Sequence, residues 1–265
     1  MQLYGAATHV GNVRENNEDS YVCDPAKNLW IVADGMGGLG FGEVASAIAT
    51  HTVTTHIQKG NGVNQAIELA HQHIRDYAES DAMGTNMGTT LVLLISQGSL
   101  YNLFWAGDSR AYLMDESLSQ LTVDHSLVQT LIDRGELTET QAETDPRKNA
   151  VTRALGVQEL DTVRADSISD KWKPNQKILL CSDGLSDLVT LQEIESVLLK
   201  KITDQEMVNE LIEKALAAGG KDNITIVIVS APSRSAQIDQ DTYVPDDITD
   251  STSVRDDDVT RSSKN

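Results

Sequence analysis

The sequence contains little cysteine and little positive charge. Cys23 and Cys181 are its only cysteines, and two isolated thiols inside apolar strand patterns form neither a disulfide framework nor a zinc site, so we expect both to be buried and reduced. Lys and Arg number 21 against 40 Asp and Glu, which gives a formal charge of −19. We therefore expect no nucleic-acid partner, because that affinity comes largely from basic side chains that neutralise phosphates.

Long apolar runs are also missing. No stretch reaches the roughly 18 consecutive apolar residues of a transmembrane helix, and the residues after Met1 lack the basic and then apolar pattern of a signal peptide. We expect a soluble, cytoplasmic monomer without membrane contact. Apolar residues make up 40% of the 265-residue chain, which is enough for one catalytic-sized domain.

The composition changes after Ser230. Residues 231–265 are rich in Asp, Ser and Thr and have almost no large apolar residues. Such a segment buries too little surface to offset its ordering entropy. We expect a folded domain over residues 1–230 and a disordered acidic tail over 231–265, whose threonines are also candidate kinase sites.

Periodicity predicts both strands and helices. Apolar runs predict strands at residues 3–8, 20–23, 29–33, 89–96, 100–106, 111–114, 177–181 and 224–229. Helical spacing continues from Glu43 to Ile57 and from Val63 to Ala78, with Gly60-Asn61-Gly62 between them. Capping-box sequences predict three later helices, at Thr138 to Gln141, Thr190 to Glu193 and Thr203 to Glu206.

An acidic residue, Asp34, stands between an apolar strand and a predicted glycine-rich turn. The glycines at 35–40 fit the G-x-G-x-x-G dinucleotide fingerprint, whereas Asp34 in front of them suits a metal site. A dinucleotide fold needs a parallel strand after the first helix and an acidic residue about 20 positions on. Here a second helix follows, and the next acidic residues are Glu43 and Glu68, so the sequence favours the metal.

Other acidic residues also stand at the ends of apolar strands. Carboxylates at corresponding ends of neighbouring strands can converge on one cleft, and oxygen ligands alone select hard cations such as Mg²⁺ or Mn²⁺. An Asp-Gly pair taken alone indicates only a turn. The hypothesis therefore depends on the joint occurrence of Glu18, Asp19, Asp34, Asp108, Asp183 and Asp222.

Seven ordered motifs resemble the bacterial branch of the metal-dependent protein phosphatases, the PPM or PP2C family, over about residues 1–230. They are Val10-Gly11-Asn12-Val13-Arg14-Glu15-Asn16-Asn17-Glu18-Asp19, Val32-Ala33-Asp34-Gly35-Met36-Gly37-Gly38, Met87-Gly88-Thr89-Thr90, Gly107-Asp108-Ser109-Arg110, Asp124-His125-Ser126, Ser182-Asp183-Gly184-Leu185 and Gly220-Lys221-Asp222-Asn223. The resemblance implies an α+β fold, a four-layer α-β-β-α sandwich of two antiparallel sheets flanked by helix pairs. It also implies hydrolysis of phosphoserine and phosphothreonine in proteins, opposing a cognate bacterial Ser/Thr kinase.

The same resemblance implies a ligand set for two divalent ions, Mn²⁺ or Mg²⁺. Asp34 bridges both ions, Glu18 (through water) and the carbonyl of Gly35 serve one, and Asp183 and Asp222 serve the other. Hydroxide formed between the ions would attack phosphorus in line, without a protein nucleophile.

Further roles follow from the resemblance. Asp19 supports the ligands from behind, and Asp108 is implied as a ligand of a third ion that it shares with Asp183. Arg14 binds the phosphoryl oxygens, because guanidinium offers a planar donor fork that keeps its charge. The segment 126–149, two short helices around Gly135, is similar to the flap that borders the cleft.

A departure from the family pattern at Met36, the interpretation of two histidines and two alternative functions complete the sequence-based hypothesis. Met36 stands where many eukaryotic members carry a histidine proposed as general acid, so water would protonate the leaving oxygen. His9 and His125 are interpreted as hydrogen-bonding residues. The alternatives are a catalytically silent phosphoprotein-binding or signalling module of the same fold and, from the glycine spacing alone, a nucleotide-binding oxidoreductase.

Overall fold

The structure is a computed structural model that describes residues 2–80, 86–158 and 160–233, without the side chain of Leu39. Its strands are β1 (Tyr4–His9), β2 (Asp19–Asp24), β3 (Leu29–Gly37), β4 (Met87–Thr89), β5 (Leu91–Gln97), β6 (Leu100–Ala106), β7 (Arg110–Met114), β8 (Leu118–Gln120), β9 (Asp166–Lys171), β10 (Lys177–Cys181) and β11 (Ile224–Ser230). Its helices are α1 (Phe41–Gln58), α2 (Val63–Ser80), α3 (Leu127–Asp133), α4 (Glu139–Ala142), α5 (Asp183–Ser186), α6 (Leu191–Leu198) and α7 (Asp204–Ala217).

The described strands form two sheets. The first has the order β1-β11-β10-β7-β8, and the second has the order β2-β3-β5-β6-β9 with β4 paired to β3. Every pairing between these strands is antiparallel. The part of the chain that the structure describes therefore has no parallel unit of the kind that binds dinucleotides.

Three apolar cores separate four layers. Helices α1 and α2 pack on the second sheet through one core, and α6 and α7 pack on the first sheet through another. The third core lies between the two sheets and contains Trp30, Val92, Leu180 and Val227. The predicted α-β-β-α sandwich is confirmed.

Strand β3 shows how the sequence builds two of these cores at once. Leu29, Ile31 and Ala33 join the helix-side core, while Trp30 and Val32 join the core between the sheets. This division follows from the two-residue period of a strand, in which successive side chains point to opposite faces. By the same alternation, Asp34 lies on the inter-sheet face, where the apolar core ends.

The local helix signals are confirmed. Capping boxes with both reciprocal hydrogen bonds start α4, α6 and α7 at Thr138, Thr190 and Thr203. Each box satisfies backbone donors that would otherwise lack a partner at a helix start. Helices α1 and α2 are separated by residues 59–62, as predicted.

The sequence patterns missed some elements. Strand β9 is mostly exposed and, among the described strands, pairs only with β6, so this edge strand lacks an apolar face. Helix α5 is a single turn that begins at Asp183, where we predicted only a strand end. The predicted strand at 89–96 is interrupted, because β4 and β5 are separated by Thr90.

The predicted tail lies, from residue 234 onward, outside the described residues. Both cysteines are free thiols, but Cys23 is only half-buried, whereas Cys181 is buried. Burial raises the pKa of each thiol to about 12.

No helix among the described residues has the length and apolar character needed to cross a membrane.

Candidate metal centre

The acidic residues predicted from strand ends meet at one end of the inter-sheet core. Asp19 opens β2 and lies directly opposite Asp34 of β3 in the antiparallel register. Asp183 begins α5 directly after β10, and Asp222 lies just before β11. Charges on Asp19, Asp183, Asp108 and Asp222 all act on Asp34. The two sheets thus bring together carboxylates that are up to about 200 positions apart in the sequence.

Asp34 is held in place through its main chain. Its N–H donates to Thr90 Oγ1 (3.0 Å), and its carbonyl accepts from the Thr90 N–H (2.8 Å) and from Thr89 Oγ1 (2.9 Å). Thr90 Oγ1 also contacts Ser109 Oγ at 2.6 Å. The paired threonines of one motif therefore clamp the backbone of another, a role that sequence reasoning did not assign.

The environment of Asp34 disfavours a negative charge. Burial is the largest cause, followed by the charges of Asp19, Asp183 and Asp108, and together they raise the pKa of Asp34 well above its usual value. A bound cation would reverse this preference, because it stabilises the ionised carboxylate. A group of carboxylates whose charges raise the pKa of the buried carboxyl at its centre is a chemical environment suited to a divalent cation.

Asp19 contributes a buried polar atom that the described residues leave unpaired. Asp19 is only 7% exposed, and its Oδ2 accepts from Ser182 Oγ at 2.8 Å. Its Oδ1 is buried without a hydrogen-bond partner of good geometry among the described residues. Burial raises the pKa of Asp19 to about 6, although hydrogen bonds from Thr225 and Ser182 oppose the shift. A buried oxygen of this kind calls for a partner, which a metal or its coordinated water can provide.

Gly35 lies in a strand and not in a turn, which corrects the sequence-based prediction. Strand β3 continues through Asp34 to Gly37, because its last three residues pair with β4. A Cβ built on Gly35 would lie 2.0 Å from the carbonyl oxygen of Gly42. Glycine is needed here because the start of α1 packs directly against β3.

Gly42 brings two of the predicted ligands together. A Cβ on Gly42 would lie 2.8 Å from Glu18 Cδ and 2.8 Å from the carbonyl oxygen of Gly35. The Glu18 carboxyl carbon and the Gly35 carbonyl oxygen are therefore separated by at most twice 2.8 Å. Burial raises the pKa of Glu18, and the Gly35 N–H donates to the Glu18 carbonyl at 3.1 Å.

Asp183 and Asp108 form a second acidic group. The pKa of Asp183 is raised to about 8, first by burial and then by the charges of Asp108 and Asp187. The pKa of Asp108 is raised to about 6 by burial and by Asp124. Asp187 was not among the predicted residues. It follows Asp183 by four positions, and the Asp187 N–H donates to the Asp183 carbonyl at 2.8 Å.

Arg14 supplies positive charge at the exposed rim. Its Nη2 donates to Asp222 Oδ2 at 2.7 Å, and its side chain is 53% exposed. The hydrogen bond and charge of Asp222 raise the pKa of the guanidinium further. Arg14 is therefore within reach of an incoming anion while it stays connected to the acidic group.

The loop that carries Arg14 is fixed by Asn223, whose role sequence reasoning missed. Asn223 Nδ2 donates to the carbonyls of Val10 and Asn16, each at 2.9 Å. Its Oδ1 accepts from the Glu18 N–H at 2.8 Å. One amide thus joins the start of β11 to both ends of the β1–β2 loop.

The 126–149 segment forms two short helices, α3 and α4, on either side of Gly135, as predicted. Its neck is closed by a bridge between Ser126 and Val151. Lys148 Nζ donates to Asp187 Oδ2 at 2.7 Å. This ion pair connects the segment to the acidic group through α5.

His125 supports the turn that precedes Asp108. Its backbone N–H donates to the Gly107 carbonyl at 2.9 Å, and its Nδ1 accepts from the Gly107 N–H at 3.0 Å. Its ring stacks on Trp105 with centroids 6.3 Å apart. Arg110, from the motif that contains Asp108, pairs with Asp124, from the motif that contains His125, at 2.6 Å. These contacts are structural hydrogen bonds of the kind expected for His125.

The donors available at the site are all oxygens, which fit a hard divalent cation. Within the described residues, no three Asp, Glu, His or Cys side chains stand close enough to form a ready ligand set. The predicted set does not require this, because it includes a backbone carbonyl and a carboxylate that acts through water, and Mg²⁺ usually keeps several waters. Asp222 would have to share or release its bond with Arg14 to bind an ion.

Known proteins match the chain over almost all of its described residues. The family model of protein phosphatase 2C matches residues 8–218. The serine/threonine phosphatase stp of Listeria monocytogenes is 38% identical over 236 residues, which cover 84% of this chain and 93% of that protein.

Solved structures agree with the sequence matches. The serine/threonine phosphatase PstP/Ppp of Mycobacterium tuberculosis has a TM-score of 0.79 at 34% identity, covering 87% of this chain and 98% of that one. The catalytic domain of PstP in complex with two manganese ions has a TM-score of 0.76 at 34% identity, covering 86% and 96%. The resemblance drawn from the seven motifs is thereby confirmed, and the chain belongs to the protein phosphatase 2C family of protein serine/threonine phosphatases.

Proposed function

We propose that the chain hydrolyses phosphoserine and phosphothreonine in proteins with the help of bound divalent cations. The observation that carries the proposal is the group of carboxylates around Asp34, in which burial and the neighbouring charges raise the pKa of Asp34, next to the exposed Arg14. Carboxylates that are costly to ionise together attract cations, and an exposed guanidinium attracts a phosphate. The folded phosphatase domain occupies residues 1–230 in this proposal.

The ligands divide between two ions. Asp34 would serve both, Glu18 and the Gly35 carbonyl would serve the first, and Asp183 and Asp222 would serve the second. The Glu18 carboxyl carbon and the Gly35 carbonyl oxygen would each lie 2.8 Å from a Cβ built on Gly42, and this closeness supports their grouping. Bound cations of this kind lower the pKa of a coordinated water and supply hydroxide at neutral pH.

Two further residues complete the acidic group. Asp108 and Asp183 would hold a third ion, which is supported by the charge interaction between them. Asp19 supports the centre from behind, since its Oδ2 is held by Ser182 and its Oδ1 is left for a metal or a coordinated water.

Arg14 binds and orients the phosphoryl group. Its guanidinium donates a hydrogen bond to Asp222, and the Arg14 side chain is about half exposed at the rim. Guanidinium binds two phosphate oxygens in one plane, which aligns phosphorus for in-line attack. Arg14 also offsets the repulsion between the carboxylates and an anionic substrate.

The residues of the chain do not form a covalent intermediate in this proposal. Burial raises the pKa of Cys181 to about 12, so its thiol stays protonated at neutral pH and is a poor nucleophile. Direct attack by water leaves Arg14 and the carboxylates as the catalytic machinery. A bacterial Ser/Thr kinase would supply the phosphorylated proteins, and either Mn²⁺ or Mg²⁺ would serve.

Phosphate release from phosphorylated peptides tests the proposal. After treatment with EDTA, Mn²⁺ or Mg²⁺ should restore release from phosphothreonine and phosphoserine peptides. The variant Asp34→Asn should stay inactive with metal, while Asp76→Asn, an exposed residue on α2, should behave as the wild type. Tight binding of the phosphopeptide by the metal-loaded wild type without release would instead support the silent binding module.

A further inference from the structure

An apolar cavity adjoins the candidate metal centre. It has a volume of about 230 Å³ and is lined by Met36, Gly37, Asn86, Met87, Gly88 and Val157. We call it the Met36–Val157 pocket. None of the predicted metal ligands or phosphate-binding residues lines it, so the reaction as described leaves it unused.

Strand geometry places this pocket beside the reacting group. Met36 follows Asp34 by two positions in β3, so both side chains lie on the same face, about 7 Å apart along the strand. An extended peptide advances by the same distance over two residues. A substrate with its phosphate near Asp34 can therefore place a side chain two positions away over Met36.

The floor of the pocket depends on Gly88, which pairs with Met36 in the β3–β4 register. A Cβ on Gly88 would lie 2.8 Å from the Leu155 carbonyl oxygen, 3.4 Å from Val157 Cγ2 and 3.6 Å from Met36 Cγ. A side chain at residue 88 would therefore crowd the pocket floor between Met36 and Val157, and glycine avoids this. A guest side chain would contact carbon and sulfur atoms on both sides, which favours an apolar guest.

The wall that carries Val157 is fixed before any substrate arrives. Leu155 exchanges two backbone hydrogen bonds with Thr89, at 3.0 and 2.9 Å. The Gly156 N–H donates to Nδ1 of the buried His71 at 2.9 Å. A pre-formed wall does not have to be ordered on binding, so less of the contact energy is lost.

We propose that the Met36–Val157 pocket receives an apolar side chain located two residues from the phosphorylated serine or threonine of the substrate protein. This inference rests on the proposed phosphatase activity and names Val157 as a specificity-determining residue. The guest is part of the substrate because Met36, which lines the pocket, lies two residues from Asp34 on the same face of β3.

Peptide turnover tests the pocket directly. Phosphothreonine peptides with a glycine background would carry a single Leu at each of the three positions before and after the phosphothreonine. With the Mn²⁺-loaded wild type, kcat/KM should rise about tenfold or more for Leu at one position two residues away, which is the range expected when an apolar pocket is filled.

Two variants of Val157 should act in opposite directions. Val157→Phe fills the pocket and should remove the preference for Leu by raising KM for the Leu peptide to that of the all-glycine peptide. Val157→Ala enlarges the pocket and should move the preference from Leu towards Phe. Val123→Phe, at a residue that is 53% exposed, is the matched control and should keep the preference of the wild type.

The outcomes separate this inference from the proposed function. Equal kcat/KM for Leu and Gly at every position, or a full preference for Leu in Val157→Phe, would refute the proposal that the Met36–Val157 pocket receives a substrate side chain. Loss of turnover with all peptides would contradict the phosphatase activity. Fluorescence anisotropy of the same labelled peptides would then test whether the pocket binds the Leu side chain. Tighter binding of the Leu peptide that is lost in Val157→Phe would support it, and equal binding would refute it.

Discussion

Replacing Asp108 by Asn should make the metal-free protein more stable near pH 7.5. The folded protein raises the pKa of Asp108 from 3.8 to about 6, mainly by burial and by the charge of Asp124. Each pKa unit corresponds to about 1.4 kcal/mol, so ionised Asp108 costs at most about 3 kcal/mol. Because the side chain is half-buried, solvent screening reduces this cost, and we expect a gain of about 1–2 kcal/mol.

The gain should depend on pH in a defined direction. Since the pKa is higher in the folded state, the folded wild type binds this proton more tightly than the unfolded chain. The stability contributed by Asp108 is therefore complete near pH 4 and is lost as the pH rises through about 6. Asn has no such proton, so the advantage of Asp108→Asn should be absent near pH 4 and complete above about pH 7.

Thermal unfolding followed by circular dichroism in EDTA measures this effect. For a chain of this size, about 1–2 kcal/mol corresponds to a rise in Tm of roughly 2–8 °C. The exposed Asp76→Asn should leave Tm unchanged. An equal or lower Tm for Asp108→Asn near pH 7.5, or the same gain at pH 4, would refute the reasoning that the acidic group is under electrostatic strain.

Substitutions at three further positions test other parts of the protein. Arg14→Ala should lower kcat/KM for phosphopeptides by about 100-fold, with Arg14→Lys in between, because Lys lacks the planar fork; steady-state kinetics measures this. Gly35→Ala should cost about 3 kcal/mol in urea unfolding, because its Cβ would lie 2.0 Å from the Gly42 oxygen. Thr203→Ala should cost about 1 kcal/mol in the same assay through the lost helix cap and leave turnover unchanged.

Each of these has an outcome that would contradict it. Undiminished kcat/KM in Arg14→Ala would remove Arg14 from the phosphate site. The control for Gly35 is Gly38→Ala, since a Cβ on Gly38 meets nothing within 4 Å, and equal stability of the two variants would rule out the close packing of α1 on β3. A drop in turnover for Thr203→Ala would show that α7 influences the site.

Local patterns predicted those parts of the fold in which sequence-near interactions decide the structure. The capping boxes at Thr138, Thr190 and Thr203 start helices because the partners are three residues apart. The core strands were found because apolar runs leave few other conformations. Strand β9 was missed because, at the sheet edge, its residues are mostly exposed and carry no apolar period.

The grouping of the acidic residues around Asp34 was predictable from the sequence, but the contacts that support them were not. Asp34 stands out in the sequence because it follows an apolar strand. The hydrogen bonds of Thr89 and Thr90 to Asp34 join residues that are 55 and 56 positions apart, and only the β3–β4 pairing brings them together. Asn223 likewise acts on residues more than 200 positions away. Such contacts follow from tertiary pairing and have no local signal.

The glycine pattern after Asp34 was misread for a related reason. Gly35 and Gly37 were expected to form a turn, because glycine dominates turns. In the structure they belong to β3, which pairs with Met87 and Thr89. The glycines allow α1 to approach the strand closely, a requirement that only the packed structure reveals.

Isothermal titration of the EDTA-treated protein with Mn²⁺ tests the central claim most directly. If Asp34 bridges two ions, the wild type should bind at least two Mn²⁺ per chain, and Asp34→Asn should lose both of these sites while keeping its circular dichroism spectrum. Asp76→Asn should bind as the wild type does. Undiminished binding of two Mn²⁺ by folded Asp34→Asn would contradict the account, because the metal centre would then not be built around this residue.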